Sequence, residues 1–240
     1  MTNPILDRIK SRGYWRINFE PLDYDKKLKT LGECKDIIEK NTVQLRGWDY
    51  PHFPRRNDEN ASVEPGNNFY EGKENWNDHI EFWRMYQSGQ FLHYLALRDD
   101  WHEYDGWGIT TNNRRNIQQG EIINITGEIT YELTEIFEFL SRLAKKGVYD
   151  GGVRVTISLH NTKGRQLAIL DPGRFPLMGV YKTSSETIEF SEKYTKDEVV
   201  DKSKELAFDA IIYILDRFGW HNPSSEVISR DQGNLLSGRP

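Results

Sequence analysis

Residues 79–98 read HIEFWRMYQSGQFLHYLALR, the most apolar part of the chain's strand-like sequence and the best guide to its fold class. Two runs of apolar and aromatic residues flank a Ser88-Gly89 pair, which favours a tight hairpin turn. Both faces of each run are largely apolar. Because a strand that shows water neither face must lie inside a sheet covered on both sides, the hairpin is predicted to form the centre of the fold.

The turn also predicts the register of this hairpin. A two-residue turn pairs Gln87 with Gln90 and therefore Arg84 with His93, two ionisable residues in apolar surroundings. A histidine held neutral beside a cation can act as a base, and an arginine in such a place can bind a carboxylate or a phosphate. The alternative is that both side chains only satisfy buried polar neighbours.

Besides a short helix that begins after Asn3, three helices are predicted from capping and periodicity. Residues 30–33 (TLGE) and 195–198 (TKDE) each match a capping box, and Thr126 is a suitable N-cap for the third helix. Apolar residues follow each start with a period of about 3.6 residues. Cys34 lies on the first apolar stripe, where a cysteine is usually an inert core residue. It is the single cysteine of the chain, which excludes an internal disulfide.

The strand pattern completes the predicted fold. Residues 14–20 and 153–159 alternate between apolar and polar side chains, and residues 166–170 are predicted to complete a second hairpin with the latter. Hairpins favour a mostly antiparallel (mixed) sheet with helices packed on it, which is an α+β fold. We expect a single domain over residues 1–222 and a flexible tail without periodicity over residues 223–240.

Composition narrows the classes of function. The chain has 240 residues, and its 37 Asp and Glu outnumber its 32 Lys and Arg, so it lacks the basic excess typical of nucleic-acid binders. Its apolar runs fall short of the roughly 18 residues that cross a membrane. Its first ten residues lack the apolar region of a signal peptide. We therefore expect a cytoplasmic protein without membrane association. Phosphate-loop, zinc-protease and serine-hydrolase motifs are absent.

Two polar stretches, residues 50–78 and 99–119, show no regular period. Prolines and glycines punctuate the first, and the second is rich in charge, Trp and Asn. Both are too long for ordinary connections within one domain, and irregular segments of this length are often functional. They are predicted to carry the binding or catalytic site.

The first segment is entered through the sequence RGWDYPH at residues 46–52. Its glycine leaves room for a ligand beside Trp48, and Asp49 can orient His52 as in an acid–base pair. Arg46 adds a cation that can bind an anion. The alternative is a strand end at which Trp48 plugs the core before a proline turn.

The second segment begins DDWHEYD, directly after the hairpin. Asp and His side chains together can bind a divalent metal, but their spacing here matches no known site, so the sequence identifies neither a metal nor a cofactor. If the two segments meet in the fold, Trp101, His102 and Trp107 line one cleft with residues 46–52.

Both segments also contain paired arginines beside aromatic residues. Guanidinium groups hold phosphates and aromatic faces stack on bases, which is the pattern of a nucleic-acid surface. Neighbouring acidic residues argue against a strong electrostatic footprint. The four arginines are Arg55, Arg56, Arg114 and Arg115.

Three functions follow, in order of preference. The first is a soluble intracellular recognition or accessory protein that binds a partner protein or polymer through its Trp- and Arg-rich segments, with Arg84 among the binding residues. The second is an enzyme for a phosphate-containing substrate, such as a nucleotide or nucleic acid, with Arg46 or Arg84 as anion clamp. Its acid–base or metal candidates are Asp49, His52, His93 and His102. The third is a sequence-tolerant nucleic-acid-binding protein. The oligomeric state is not predicted.

Overall fold

The computed structural model describes residues 3–23, 28, 30–102, 120–171 and 173–239. The strands are β1 (Tyr14–Pro21), β2 (Val43–Gln44), β3 (Asp49–Tyr50), β4 (Ala61–Pro65), β5 (Phe69–Trp76), β6 (His79–Tyr86), β7 (Phe91–Ala96), β8 (Ile122–Asn124), β9 (Val153–His160), β10 (Gln166–Ala168) and β11 (Thr187–Tyr194). The α-helices are α1 (Pro4–Lys10), α2 (Leu31–Glu39), α3 (Glu132–Lys145), α4 (Lys196–Asp201), α5 (Ser203–Arg217) and α6 (Ser225–Leu236). A short 3₁₀ helix (Arg98–Asp100) follows β7, and a π-helix (Ile125–Tyr131) leads into α3.

A seven-stranded antiparallel sheet in the order β11-β9-β1-β7-β6-β5-β4 organises the protein into a single compact α+β fold. The predicted hairpin forms β6 and β7, and β7 is the middle strand. Helices α3 and α5 cover one face of the sheet, where the main core lies, and α1 covers part of the other face. The predicted central position of the hairpin is therefore confirmed, with one face covered by α3 and α5 and the other covered in part by α1.

The register predicted for the hairpin was wrong by one residue. Gly89 has a φ of +87° and closes a three-residue loop, in which the Tyr86 N–H donates to the Gln90 carbonyl at 2.9 Å. Ser-Gly suits loops of two or three residues, and here the left-handed glycine selects the longer one. A shift of one residue moves side chains to the opposite face. His93 consequently lies opposite Trp83 in the ladder.

Arg84 and His93 therefore do not form a pair. Arg84 lies opposite Leu92 on the face that α1 partly covers, and its Nε donates to Glu71 Oε2 at 2.7 Å. His93 points into the main core and is fully buried.

Strands β4 and β5 occupy much of the segment predicted to be irregular, and they form one edge of the main sheet. Side chains such as Glu71 and Lys73 hid the strand pattern in the sequence. Gly72 is required here, because a Cβ would lie 2.3 Å from the Trp83 ring in the neighbouring strand. The Trp83 indole N–H donates to the His52 carbonyl at 2.8 Å, so this close approach positions residue 52.

The C-terminal segment is helical, which corrects the prediction of an irregular tail over residues 223–240. Ile228 and Leu235 of α6 are buried. Between them, Gln232 is also buried and donates to the Thr134 hydroxyl at 3.2 Å. Asp231 accepts two hydrogen bonds from Arg174, at 2.6 and 2.8 Å. Because polar residues with specific partners fill half of the buried face, the apolar pattern in the sequence was too weak to reveal the helix.

Of the other local predictions, some are confirmed and some are wrong. Both capping boxes are present, at Thr30 and Thr195. Cys34 lies in the core, where burial raises the pKa of the thiol to about 11. The third helical segment is capped by Asn124 instead of Thr126. The predicted second hairpin does not form, since β10 pairs in parallel with β8 while β9 pairs with β1 and β11.

Candidate functional site

A cleft of about 310 Å³ lies between the start of β6 and the start of α3. Arg46, Trp48 and Asp49 line it from one side, and the 3₁₀ helix with His102 lines it from another. The first segment and the described beginning of the second, residues 99–102, therefore meet at one concave surface. The π-helix and α3 supply the remaining wall.

The charge of the lining is strongly one-sided. Seven carboxyl side chains face the cleft, against the two guanidinium groups of Arg46 and Arg98. The carboxyl groups belong to Asp49, Asp78, Glu81, Asp99, Glu128, Glu132 and Glu135. Two histidines, His79 and His102, also line it. Such a surface attracts cations and repels phosphates.

Glu81 forms one wall and is almost completely buried. Its Oε2 lies 2.7 Å from His93 Nε2, and its Oε1 lies 3.2 Å from His79 Nε2. The backbone N–H of His52 also donates to it, at 3.1 Å. Burial alone would raise the pKa of Glu81, but the hydrogen bonds from the two histidines lower it far below its usual range. Glu81 is therefore an ionised carboxylate with partners on both oxygens.

Asp49 and His52 form the pair that the sequence predicted. Asp49 Oδ1 lies 2.5 Å from His52 Nδ1. Burial opposes the charge on the imidazole, yet the hydrogen bond and charge of Asp49 raise the pKa of His52. The Trp48 ring packs against His52 and His79, with ring centroids 4.2 Å apart in both contacts. His52 itself lies behind the cleft lining.

Glu132 and Glu135 form the opposite wall, at the start of α3. Arg46 binds both of them: its Nε donates to Glu135 Oε2 at 2.9 Å, and its Nη2 donates to Glu132 Oε2 at 2.8 Å. Burial raises the pKa of Glu135 to about 7, although Arg46 acts against the shift. Arg46, predicted as an anion clamp, is thus already held between two carboxyl groups.

Three buried polar atoms of the cleft have no hydrogen-bond partner within the described part of the chain. They are Glu132 Oε1, Glu135 Oε1 and the indole nitrogen of Trp48. Buried polar groups are normally satisfied, so a concentration of exceptions in one cavity calls for an explanation. Beside them, burial and the nearby Asp99 raise the pKa of Glu128 well above its usual range.

The other predicted residues lie in different places. His93 is sealed beneath the cleft, where its Nδ1 lies 3.1 Å from the Tyr50 hydroxyl. The Trp101 ring carries the guanidinium of Arg12 at 4.1 Å, outside the cleft lining. His102 lies at the rim with its Nδ1 2.9 Å from Asp78 Oδ2.

The predicted basic residues that the structure describes lie in different places. Arg55 is exposed, and Arg56 forms ion pairs with Asp58 and Glu74. Arg84 lies on the other face of the sheet. Arg114 and Arg115, like Trp107, lie outside the described residues.

The acidic wall was missed from the sequence. Glu128, Glu132 and Glu135 follow the i, i+4, i+7 spacing that places side chains on one helical face. This stripe of like charge runs beside the apolar stripe of the same helix. Its spacing is the signal that could have revealed the wall.

In the described ranges, no group of three or more His, Cys, Asp or Glu side chains is arranged to hold a metal ion. Nor is any helix in those ranges both long and apolar enough to cross a bilayer. No protein-family model, curated protein or solved structure matches this chain.

Proposed function

We propose that this protein is a recognition protein that binds part of a partner molecule in the cleft between Trp48 and the start of α3. The observation that carries the proposal is that lining residues on both sides of the cavity hold buried polar atoms with no partner among the described residues. Leaving a buried polar group without a partner costs about 1–3 kcal/mol, and a bound ligand with matching groups recovers that cost.

The aromatic side of the cleft supports the same proposal. Trp48 packs on His52 and His79 and also stacks on Trp76, with ring centroids 5.8 Å apart. Aromatic side chains held by their neighbours in this way give large contact areas at low entropic cost and are frequent binding hot spots.

An enzyme remains the second candidate, and the Asp49–His52 pair favours it. The cleft also contains carboxyl groups whose pKa values are shifted in opposite directions, at Glu81 and Glu135, as in acid–base sites. The acidic lining weighs against the phosphate-containing substrate proposed from the sequence. Nucleic-acid binding stays a prediction, since two of its four arginines lie outside the described residues.

Selection from a random peptide library displayed on phage tests the recognition function. We expect enriched peptides whose affinity falls at least tenfold in the Trp48→Ala variant. Trp220→Ala is the matched control, because Trp220 stacks on Tyr181 and does not line the cleft. If no peptide is enriched, or if the selected peptides bind Trp48→Ala as tightly as the unmodified protein, the cleft is not a recognition site.

A further inference from the structure

Resting on the recognition function proposed above, we infer that the group taken up by the cleft is an organic cation. Its ammonium or guanidinium N–H groups would donate to the free oxygens of Glu132 and Glu135. The cation belongs to a side chain of a partner or to a small amine, and these two sources share the same chemistry at the site.

The geometry of α3 supports this ligand. The Glu132 and Glu135 side chains are only 9% and 1% exposed, and Arg46 occupies just one oxygen of each. The remaining Oε1 atoms are buried in residues that line the cavity, and no donor within the described part of the chain reaches them. An ionised carboxylate accepts hydrogen bonds and donates none, so the missing partner must supply N–H or O–H groups.

The charge balance favours a cation among such donors. When both groups are ionised, two carboxylates around one guanidinium leave one excess negative charge on side chains that are only 9% and 1% exposed. Arg98, the other guanidinium of the lining, is paired with Asp78 at 2.8 Å. A charged donor therefore gains both a hydrogen bond and neutralisation, and charge-assisted hydrogen bonds are about twice as strong as neutral ones.

The groups around Glu132 and Glu135 do not remove this excess. Besides Asp78 and the arginines already named, the titratable groups of the lining are four carboxyl groups, a tyrosine and two histidines. These groups are Asp49 and Tyr50 from β3, His79 and Glu81 from β6, Asp99 from the 3₁₀ helix, Glu128 from the π-helix and His102 after the 3₁₀ helix. His93 and His52 lie behind the lining and are engaged by Glu81 and Asp49.

The size of the cavity limits the ligand. A volume of about 310 Å³ is at the lower end of the roughly 300–1,000 Å³ of small-molecule sites. It therefore takes one side-chain end or one small amine. Trp48 lines the other side of the cavity, where its indole can contact the alkyl stem of the ligand.

The pH dependence of the affinity tests the binding of a cation without any variant. Near neutral pH, Glu135 holds a proton for part of the time, because its pKa is raised to about 7 by burial. A bound cation replaces that proton. Affinity should therefore rise with pH, by up to about tenfold per unit below pH 7, and level off above it.

We would titrate the full chain with n-butylammonium, as a lysine mimic, and with n-propylguanidinium, as an arginine mimic. Amide and indole N–H shifts in two-dimensional NMR report binding at Trp48 and α3. We expect saturable shifts at millimolar concentrations for at least one of the two, tighter binding at pH 8 than at pH 6, and no saturable shift with n-butanol or n-butyrate. A basic peptide compared with the free amine separates the two sources.

The variants Glu132→Gln and Glu135→Gln should each weaken binding about tenfold. Glu138→Gln is the matched control on the same helix, since Glu138 pairs with Arg142 and does not line the cleft. Binding of butyrate or of Mg²⁺ or Zn²⁺ in preference to the organic cations would overturn the inference, as would the absence of binding by either cation. Trp48-dependent peptides without Lys or Arg would leave the recognition function standing and remove the cation alone.

Discussion

Two sets of buried carboxyl groups line the same cleft, and at equal burial the pKa values of Glu81 and Glu135 are shifted in opposite directions. Glu81 on β6 has partners on both oxygens and a pKa far below its usual range. Glu135 on α3 is equally buried, yet only one of its oxygens is occupied and its pKa is raised to about 7. The number of partners, not the depth of burial, sets the protonation state of each wall.

This difference between the two walls also separates a role in stability from a role in binding. A buried charge with all its partners is fixed by the fold and gains little from a ligand. A buried carboxyl group that shares one guanidinium with a second carboxyl group has an acceptor left over. The Glu81 side of the cleft is therefore expected to determine stability, and the Glu132–Glu135 side is expected to determine binding.

Removing the charge at Glu81 should give the largest loss of stability. We expect Glu81→Gln to lower the free energy of unfolding by about 3–5 kcal/mol, because His79 and His93 lose their shared anionic partner in a buried place. Urea denaturation at pH 7 measures the change.

Glu71→Gln provides the control in the neighbouring strand. Glu71 pairs with Arg84 where both side chains are partly exposed, so its loss should cost no more than about 1 kcal/mol. Equal effects of the two substitutions would contradict the idea that Glu81 holds one wall of the cleft together.

Removing the charge at Glu135 should stabilise the folded protein relative to the unmodified chain, and only at a pH at which Glu135 is ionised. The folded-state pKa of about 7 exceeds the ordinary value of 4.5, so the folded protein binds more protons between these values and loses stability as the pH rises through them. The loss amounts to at most about 3 kcal/mol by pH 8. Glu135→Gln should escape it.

Denaturation curves at pH 5, 6, 7 and 8 measure this difference. The stability of Glu135→Gln relative to the unmodified protein should increase across the series, while Glu138→Gln should follow the unmodified protein. Parallel curves for all three would show that the α3 wall does not hold an uncompensated charge.

Much of the fold was predictable because apolar patterning is a strong signal. The hairpin at residues 79–98 is apolar on both faces, and that alone places it at the centre of the sheet. Its register was not predictable, since the sequence does not determine whether Gly89 closes a two- or a three-residue loop. Strand β5 and helix α6 were missed because polar residues with specific partners interrupt their patterns.

The candidate site was predictable only where its residues are adjacent in the sequence. The sequence RGWDYPH stands out because a glycine, an aromatic ring and an acid–base pair are adjacent in the chain. The acidic wall comes from a helix whose polar residues can all be explained as a solvated face. Only folding shows that Glu128, Glu132 and Glu135 are turned into a cavity with Arg46.

The Asp49–His52 pair is less buried than Glu81 and Glu135. Its loss should give the smallest change in the free energy of unfolding. His52 is 19% exposed, and Asp49 raises its pKa against the effect of burial. A raised histidine pKa stabilises the fold below the unfolded-state value of about 6.5 and loses this effect as the pH rises through the folded value. Asp49→Asn should therefore lower the pKa of His52 and cost about 1 kcal/mol at pH 5.5 but less at pH 8.5.

NMR titration of the histidine ring resonances measures the pKa of His52 in the unmodified protein and in Asp49→Asn. Asp58→Asn is the control in the same segment. Asp58 pairs with Arg56 and accepts backbone N–H groups, so its loss should leave His52 unchanged. If Asp49→Asn also leaves the His52 titration unchanged, then the longer contact with Glu74, at 3.5 Å, and the charge of Glu81 account for the shift. In that case the nearest partner would not decide the charge state of this pair. The summed field of the acidic cleft, and not the number of partners, would then set the pKa values of the two walls.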